Sequence, residues 1–304
     1  MKLTVAIPTH NRHQTLELTL NSLAALRLAP ELEIDCLVID NNSTDATPQA
    51  VQAFARIAPF PVRRVFEERQ GSSFARNRAV REARGELIFF IDDDVIVEPD
   101  WAAQLLAEIR RRELHAACGL VLARWQAPPP RWMGAEVYGK LAVHRAESAA
   151  DAAPPPERLS QFFSANVGFS RECFERFGVF REDLGVVGDN PMSGEDTELF
   201  GRIISGGGRV GIAPRAVVHH LIGPERMTRG YFRHKSFAFG VGSAFAGGRS
   251  HNRPDKLAKN LLRMAVAAAR GNQSLAFYHQ LECVNFFGYW YGRIRLHRAR
   301  TIRE

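Results

Sequence analysis

The 304-residue sequence has only four cysteines, Cys36, Cys118, Cys173 and Cys283, spaced too widely for a metal-ligand or redox pair. This excludes a disulfide-stapled secreted domain and predicts reduced thiols in a cytoplasmic protein. No stretch has the length and apolarity of a membrane span. The opening Met-Lys-Leu-Thr-Val-Ala-Ile-Pro-Thr is too short and too soon broken by proline for a signal peptide. There is no internal repeat. What remains is an ordinary globular balance, 45% hydrophobic and 24% charged, long enough for one large α/β domain with an appendage or for two modest domains.

Positive charge is in excess, +7 formally, and it is uneven. Arg110-Arg111-Arg112 closes one helical stretch, and Arg293, Arg295, Arg298, Arg300 and Arg303 crowd the C-terminus. Such charge suits an anionic substrate, a phospholipid surface or nucleic acid.

Along the first half, short apolar runs alternate with amphipathic stretches. Strands are expected at 3–7, 37–39, 62–66 and 87–91, and helices at about 13–28, from a start at 43–45, and at 73–84. Strand-helix alternation predicts a parallel sheet covered by helices on both faces, and the uninterrupted run Leu87 to Ile91 predicts a buried central strand. Such sheets bind ligands beyond the C-terminal ends of their strands. Those ends carry Pro8-Thr9-His10-Asn11-Arg12, Asp40-Asn41-Asn42 and Asp92-Asp93-Asp94. The middle differs: 125–132, with three consecutive prolines, and the Ala/Pro stretch 149–156 read as loops or a lid. Regular structure is expected again at 162–169, in a helix over 195–205 ended by Gly206-Gly207-Gly208, and in a strand from Arg209. Beyond about Gly223 the chain reads as helical, with helices near 257–270 and 275–300.

Three adjacent carboxylates repel one another, and a fold that gathers Asp92, Asp93 and Asp94 usually neutralises them with a cation. Hard oxygen ligands suit Mg²⁺ or Mn²⁺, which also bridge nucleotide phosphates. The alternative is a solvated turn before the helix that starts near Glu98-Pro99-Asp100. Asp40 is either a turn residue or an acceptor for a nucleobase or ribose. Glu195 and Asp196 open a helix, where negative charge is favourable on structural grounds alone, or supply a general base. The approach to them holds Gly185, Gly188 and Gly194, read as a mobile loop. His219-His220 follows an apolar run and is either packed core or the completion of a metal site. Asn166 either binds sugar hydroxyls or ties down backbone.

Taken in order, Val-Ala-Ile-Pro-Thr-His-Asn-Arg at 5–12, Val-Ile-Asp-Asn-Asn-Ser-Thr-Asp at 38–45 and Ala-Arg-Asn-Arg-Ala at 75–79 resemble the family 2 glycosyltransferases. Phe-Ile-Asp-Asp-Asp-Val at 90–95, Ser-Ala-Asn-Val-Gly-Phe at 164–169, Gly-Glu-Asp-Thr-Glu-Leu at 194–199 and the histidine pair continue the match. The resemblance covers roughly the first 220 residues. It implies a GT-A fold, with a catalytic domain at 1–222 and a helical region at 223–304. It also implies inverting transfer of a sugar from a nucleoside-diphosphate donor, of UDP or GDP type, with Mg²⁺ or Mn²⁺. By this resemblance Thr9 and Asp40 hold the base, with Arg76 nearby and Asn11, Arg12, Asp93 and Asn166 in the donor site. Asp92 and Asp94 form a D-x-D, one touching ribose and one the metal, joined by His220 rather than His219. Asp196 is the acceptor's base, with Glu195 beside it. Arg12 stands where many members carry an acidic residue.

A sugar nucleotidyltransferase is the nearest rival, but it is expected to carry a Gly-rich basic loop after the first strand. A dinucleotide oxidoreductase is a weaker rival still, because Gly206-Gly207-Gly208 follows a helix and precedes a strand, the reverse of the required order. A non-catalytic sugar-nucleotide-binding protein would not need every acidic position. No nucleic-acid partner is expected. The aromatic cluster Phe286, Phe287, Tyr289, Trp290, Tyr291 stands just before the C-terminal arginines, a combination that anchors a helix at a membrane interface. A glycan or lipid-linked acceptor is expected. A helix packed on the catalytic domain, with solvated arginines, is the first expectation, and peripheral association at the inner face of the plasma membrane is the alternative.

Overall fold

In the computed structural model, residues 1–28, 32–144, 162–187, 193–247 and 253–301 are described. The Ala/Pro stretch 149–156 and Gly188 lie outside them. The chain forms two compact units: 1–124 with 142–181 and 196–221, and 125–141 with 182–195 and 222–304.

The first unit is built on an eight-stranded sheet. Its strands are β1 (Lys2–Thr9), β2 (Glu33–Asp40), β3 (Val62–Phe66), β4 (Leu87–Ile91), β5 (Val95–Val97), β6 (Ala116–Trp125), β7 (Asn166–Ser170) and β8 (Val210–Ile222), in the order β3-β2-β1-β4-β7-β6-β8-β5. β3, β2, β1 and β4 run parallel, and β7 turns antiparallel against β4. The sheet is therefore mixed, the expected parallel half being followed by antiparallel strands.

Alternation along each strand feeds two cores. Leu3, Val5 and Ile7 of β1, Val38 of β2 and Phe89 of β4 join one core, with Leu16 and Leu20 of α1 (His13–Leu23) and Trp101 and Leu105 of α4 (Trp101–Arg112). Ala6, Leu37, Ile39, Ile88 and Phe90 point the other way. They join Ala75 and Ala79 of α3 (Ser72–Glu82), Cys173 of α5 (Arg171–Phe177), and Leu199, Phe200 and Ile203 of α6 (Glu195–Ser205). A period of two in strands that are buried on both faces produces this division. β4, Leu-Ile-Phe-Phe-Ile, is buried at every position, as its unbroken apolar run predicts.

α1 ends at Leu23, earlier than expected, and α2 starts at Thr47 (Thr47–Ala55). Asp45 explains both helix starts. Its carboxylate accepts the backbone N–H of His13 at 3.0 Å and both the N–H and hydroxyl of Thr47, at 3.0 and 2.6 Å. One side chain thus satisfies orphan donors of two helices. Arg111 and Arg112 close α4, where positive charge meets the negative helix end, and both reach Glu108, at 2.7 and 3.2 Å. α6 stops where Gly207 takes φ +77°, which a glycine adopts without strain.

The second unit holds α7 (Arg229–Phe245), α8 (Pro254–Ala269) and α9 (Gln273–Thr301). α7 and α9 approach closely through glycine: a Cβ on Gly240 would lie 2.1 Å from the Asn285 carbonyl oxygen, and one on Gly288 2.2 Å from that of Phe237. Beyond the end of β6 at Trp125, the proline-rich segment 126–132 has no regular structure, but it is anchored rather than free. Trp132 packs edge-on against Phe232 and Phe277, 5.7 and 4.9 Å between ring centroids. The four cysteines are buried and free.

Candidate active site

Because β2, β1 and β4 are adjacent and parallel, their C-terminal ends align. Thr9 stands opposite Asp40 in the β1–β2 register, and Asp92, Asp93 and Asp94 follow directly on β4. The acidic run continues into β5, which pairs antiparallel with β8, so Val95 faces His220 and Ile96 faces His219. Strand alternation then separates the two histidines. His220 turns inward, its Nε2 3.1 Å from Asp94 Oδ1, with both side chains about 95% buried. His219 lies on the opposite side, 3.1 Å from Glu98.

Positive charge gathers on the acidic run. The Arg12 guanidinium reaches Asp93 at 3.2 Å and Asp94 at 2.9 Å, and Arg76 stands 3.5 Å from Asp92. Burial raises the Asp93 carboxyl to about 6. Arg12 and the hydrogen bond from Thr9 restrain that rise, while Asp94 and Asp92 add to it. In return Asp93, then Asp94 and Asp92, hold Arg12 protonated more firmly than usual, against the effect of its burial. Thr9, expected at the base, donates to Asp93 at 2.7 Å. Asp40 is buried, bonded by Arg64 at 2.6 Å and by the Ser43 N–H at 3.0 Å.

Asn11 adopts φ +53° and clamps one loop to the next. Its carboxamide oxygen accepts the Thr44 N–H at 2.7 Å, and its own N–H donates to Ser43 Oγ at 3.1 Å. Asn166, expected in the donor site, is a brace between strands in this structure. It is fully buried, its amide donates to the carbonyls of Leu120 and Ala216 at 3.0 and 2.8 Å, and its oxygen accepts Trp101 Nε1 at 2.7 Å. Gly119 makes the brace possible, since a Cβ there would sit 2.2 Å from the Asn166 amide nitrogen.

Asp196 opens α6 with one carboxylate oxygen on the Thr197 N–H, 2.7 Å. Its other oxygen meets Ser164, 3.3 Å from the hydroxyl and 3.4 Å from the N–H. Arg76 donates to that same hydroxyl at 2.9 Å. Asp92, Arg76, Ser164 and Asp196 therefore form a continuous polar chain from the acidic run to the helix start. Ser164 stands inside a motif of the sequence, but contacts between residues 88 and 32 positions apart leave no spacing signal of its role, and the same holds for Arg64 on Asp40. Glu195 is buried and accepts the Gly194 N–H at 3.1 Å, a turn-closing bond.

A mixed sheet whose parallel ends present carboxylates and arginines, with a buried histidine brought beside them by the antiparallel β5–β8 pair, has the layout of an enzyme that handles a nucleoside diphosphate. Residues 4–177 match the model of Glycosyl transferase family 2, and the chain belongs to that family. It is a nucleotide-sugar-dependent glycosyltransferase of the kind that serves polysaccharide and glycoconjugate synthesis.

Similar sequences include the succinoglycan biosynthesis protein ExoM of Rhizobium meliloti (strain 1021), 26% identical over 238 residues, 78% of this chain and 72% of that protein. The glucosyl-dolichyl phosphate glucuronosyltransferase of Haloferax volcanii is 24% identical over 241 residues, 78% and 74% of the two chains. Among solved structures, the mannosyltransferase PcManGT of Pyrobaculum calidifontis, in complex with GDP-Man and Mn²⁺, superposes with TM-score 0.64. It is 22% identical, over 94% of this chain and 86% of that one. TarS (1–349) of S. aureus in complex with UDP-GlcNAc gives TM-score 0.53 at 16% identity, over 98% and 92%. These likenesses establish the expected GT-A-like fold.

Proposed function

We propose that the enzyme transfers a sugar, with inversion, from a UDP- or GDP-type donor to a hydroxyl of a glycan or lipid-linked acceptor. Asp196 serves as the base and the acidic run as the donor site. The observation that carries this reading is the polar chain from Asp92 through Arg76 and Ser164 to Asp196. It ties a carboxylate at the donor edge to a carboxylate at a helix start and fixes the second in orientation. The donors named with the related folds, GDP-Man and UDP-GlcNAc, and the succinoglycan pathway named for ExoM support the substrate class.

Among the described residues no three His, Cys, Asp or Glu side chains close a metal cage. Mg²⁺ and Mn²⁺ at phosphate sites do not need one, because a carboxylate or two, water and the donor's own phosphates complete the shell. The oxygen of Asp94 and the nitrogen of His220, 3.1 Å apart, have the spacing of two ligands on one ion, so these residues fit such a metal and would hold it. When bound, the cation offsets negative charge on the departing diphosphate. Asp92, with Arg76 beside it, is then left for the ribose, and Asp40 with Arg64 for the base.

The acceptor oxygen attacks the anomeric carbon from the face opposite the diphosphate. As the new carbon–oxygen bond forms, the bond to diphosphate breaks, and the acceptor's proton passes to Asp196. The Ser164 hydroxyl and the Thr197 N–H keep the Asp196 carboxylate aligned. Calorimetry with UDP, GDP and their sugars, with and without Mn²⁺, tests the reading. Binding of one nucleotide series that is strengthened by Mn²⁺ is expected. No binding of either series under both conditions would sink it.

A further inference from the structure

The second unit displays a surface that sugar transfer does not use. α8 is exposed along most of its length, and among its described side chains only Ala267 is buried. Leu262, 66% exposed, and Val266, 42% exposed, lie one turn apart on the same side. On α9, Phe287, Trp290, Tyr291 and Ile294 recur at helical spacing and are 45–58% exposed. A globular surface rarely leaves so many large apolar side chains in water on two neighbouring helices without a partner.

Charge selects the partner. Residues 253–301 hold nine of the chain's 40 Lys and Arg but only two of its 33 Asp and Glu. The remainder of the chain is balanced, so the whole excess of +7 belongs to this segment. Its two acids are already neutralised: Asp255 pairs with Arg253 at 2.9 Å and Lys259 at 3.6 Å, and Glu282 with Lys140 at 3.4 Å. Arg263, Arg270, Arg293 and Arg295 are exposed beside the apolar side chains. Apolar and aromatic side chains bordered by arginine are what a helix lying in the headgroup region of an anionic bilayer presents. Among the described residues no helix is long and apolar enough to cross a membrane, so the helices would lie on the surface rather than span it.

We propose that α8 and α9 form a docking surface for an anionic phospholipid bilayer, inserting Leu262, Val266 and the Phe287–Ile294 stripe while the arginines pair with lipid phosphates. This inference does not rest on the donor or base assignments. The test is co-sedimentation of the full chain with phosphatidylcholine vesicles and with vesicles containing phosphatidylglycerol, at low and high salt. Binding to the anionic vesicles only, weakened by salt, is expected.

Leu262→Gln with Trp290→Ala, and separately Arg263→Gln with Arg293→Gln, should each lower partitioning by roughly tenfold or more. Donor hydrolysis and the far-ultraviolet circular dichroism should stay unchanged in both. No binding to anionic vesicles, or binding equal on both vesicle types and indifferent to the substitutions, overturns the proposal. So does light scattering that shows a dimer abolished by Leu262→Gln while vesicle binding persists, which would assign the surface to a second copy of the chain.

Discussion

Asp94 and His220 meet at 3.1 Å, both almost fully buried, because β5 and β8 pair in a register that sets His220 beside the end of the acidic run. A slip of one residue would bring His219 there instead. This contact joins the two parts of the proposed metal site. Asp94→Ala is expected to reduce Mn²⁺-dependent donor binding by on the order of 100-fold and to leave metal-independent binding of the bare nucleoside diphosphate much less affected. Calorimetric titration measures both quantities. Equal binding by variant and wild type in Mn²⁺ would remove Asp94 from the site.

Asp196 and Ser164 make separable predictions. Asp196→Asn keeps the shape and loses the base, so transfer should fall by about 10²–10⁴ with donor affinity nearly intact. Ser164→Ala removes a hydrogen bond to the ionised carboxylate, which favours its protonation. The acid limb of the kcat/KM profile should move to higher pH and kcat fall about tenfold, with little change in donor KM, and Ser164→Thr should restore both. An unshifted profile would leave Ser164 with a structural role only.

Asn166 yields a stability prediction instead of a kinetic one. Asn166→Leu would strand two buried carbonyls and the Trp101 indole N–H, at about 1–3 kcal/mol for each unsatisfied group. Urea unfolding should show a loss of roughly 3–5 kcal/mol. A variant of wild-type stability that no longer binds donor would restore Asn166 to the sugar site.

The parallel half of the fold was legible because its signals are local. β4 reads as a buried strand from five consecutive apolar residues, and α6 from its acidic start at Glu195 and the three glycines that end it. The identity of the acidic positions was legible too, since strand ends in this topology collect ligand groups. Partnership was not. Thr9 on Asp93, Arg64 on Asp40 and Ser164 between Arg76 and Asp196 join residues 24 to 88 positions apart, and no periodicity encodes such pairs. Asn166 illustrates the limit: an amide within an apolar run reads equally as sugar ligand or as brace, and its three bonds are seen only in the fold.

Asp45 gives the clearest dependence on pH. Burial alone would raise its carboxyl, but the hydrogen bonds from Thr47 and His13 outweigh that and hold it below the ordinary carboxylate range. A depressed pKa in the folded state means that the ionised form is favoured by folding. Its contribution is therefore present above the unfolded value of about 4 and disappears as pH falls through the lower folded value. Asp45→Asn keeps the side chain's size and removes the charge. The stability gap between wild type and variant should be constant above about pH 5 and narrow progressively below about pH 4, measured by urea midpoints at each pH. A gap that stays constant down to strong acid would show that neutral hydrogen bonding, and not the ionised carboxylate, holds the starts of α1 and α2.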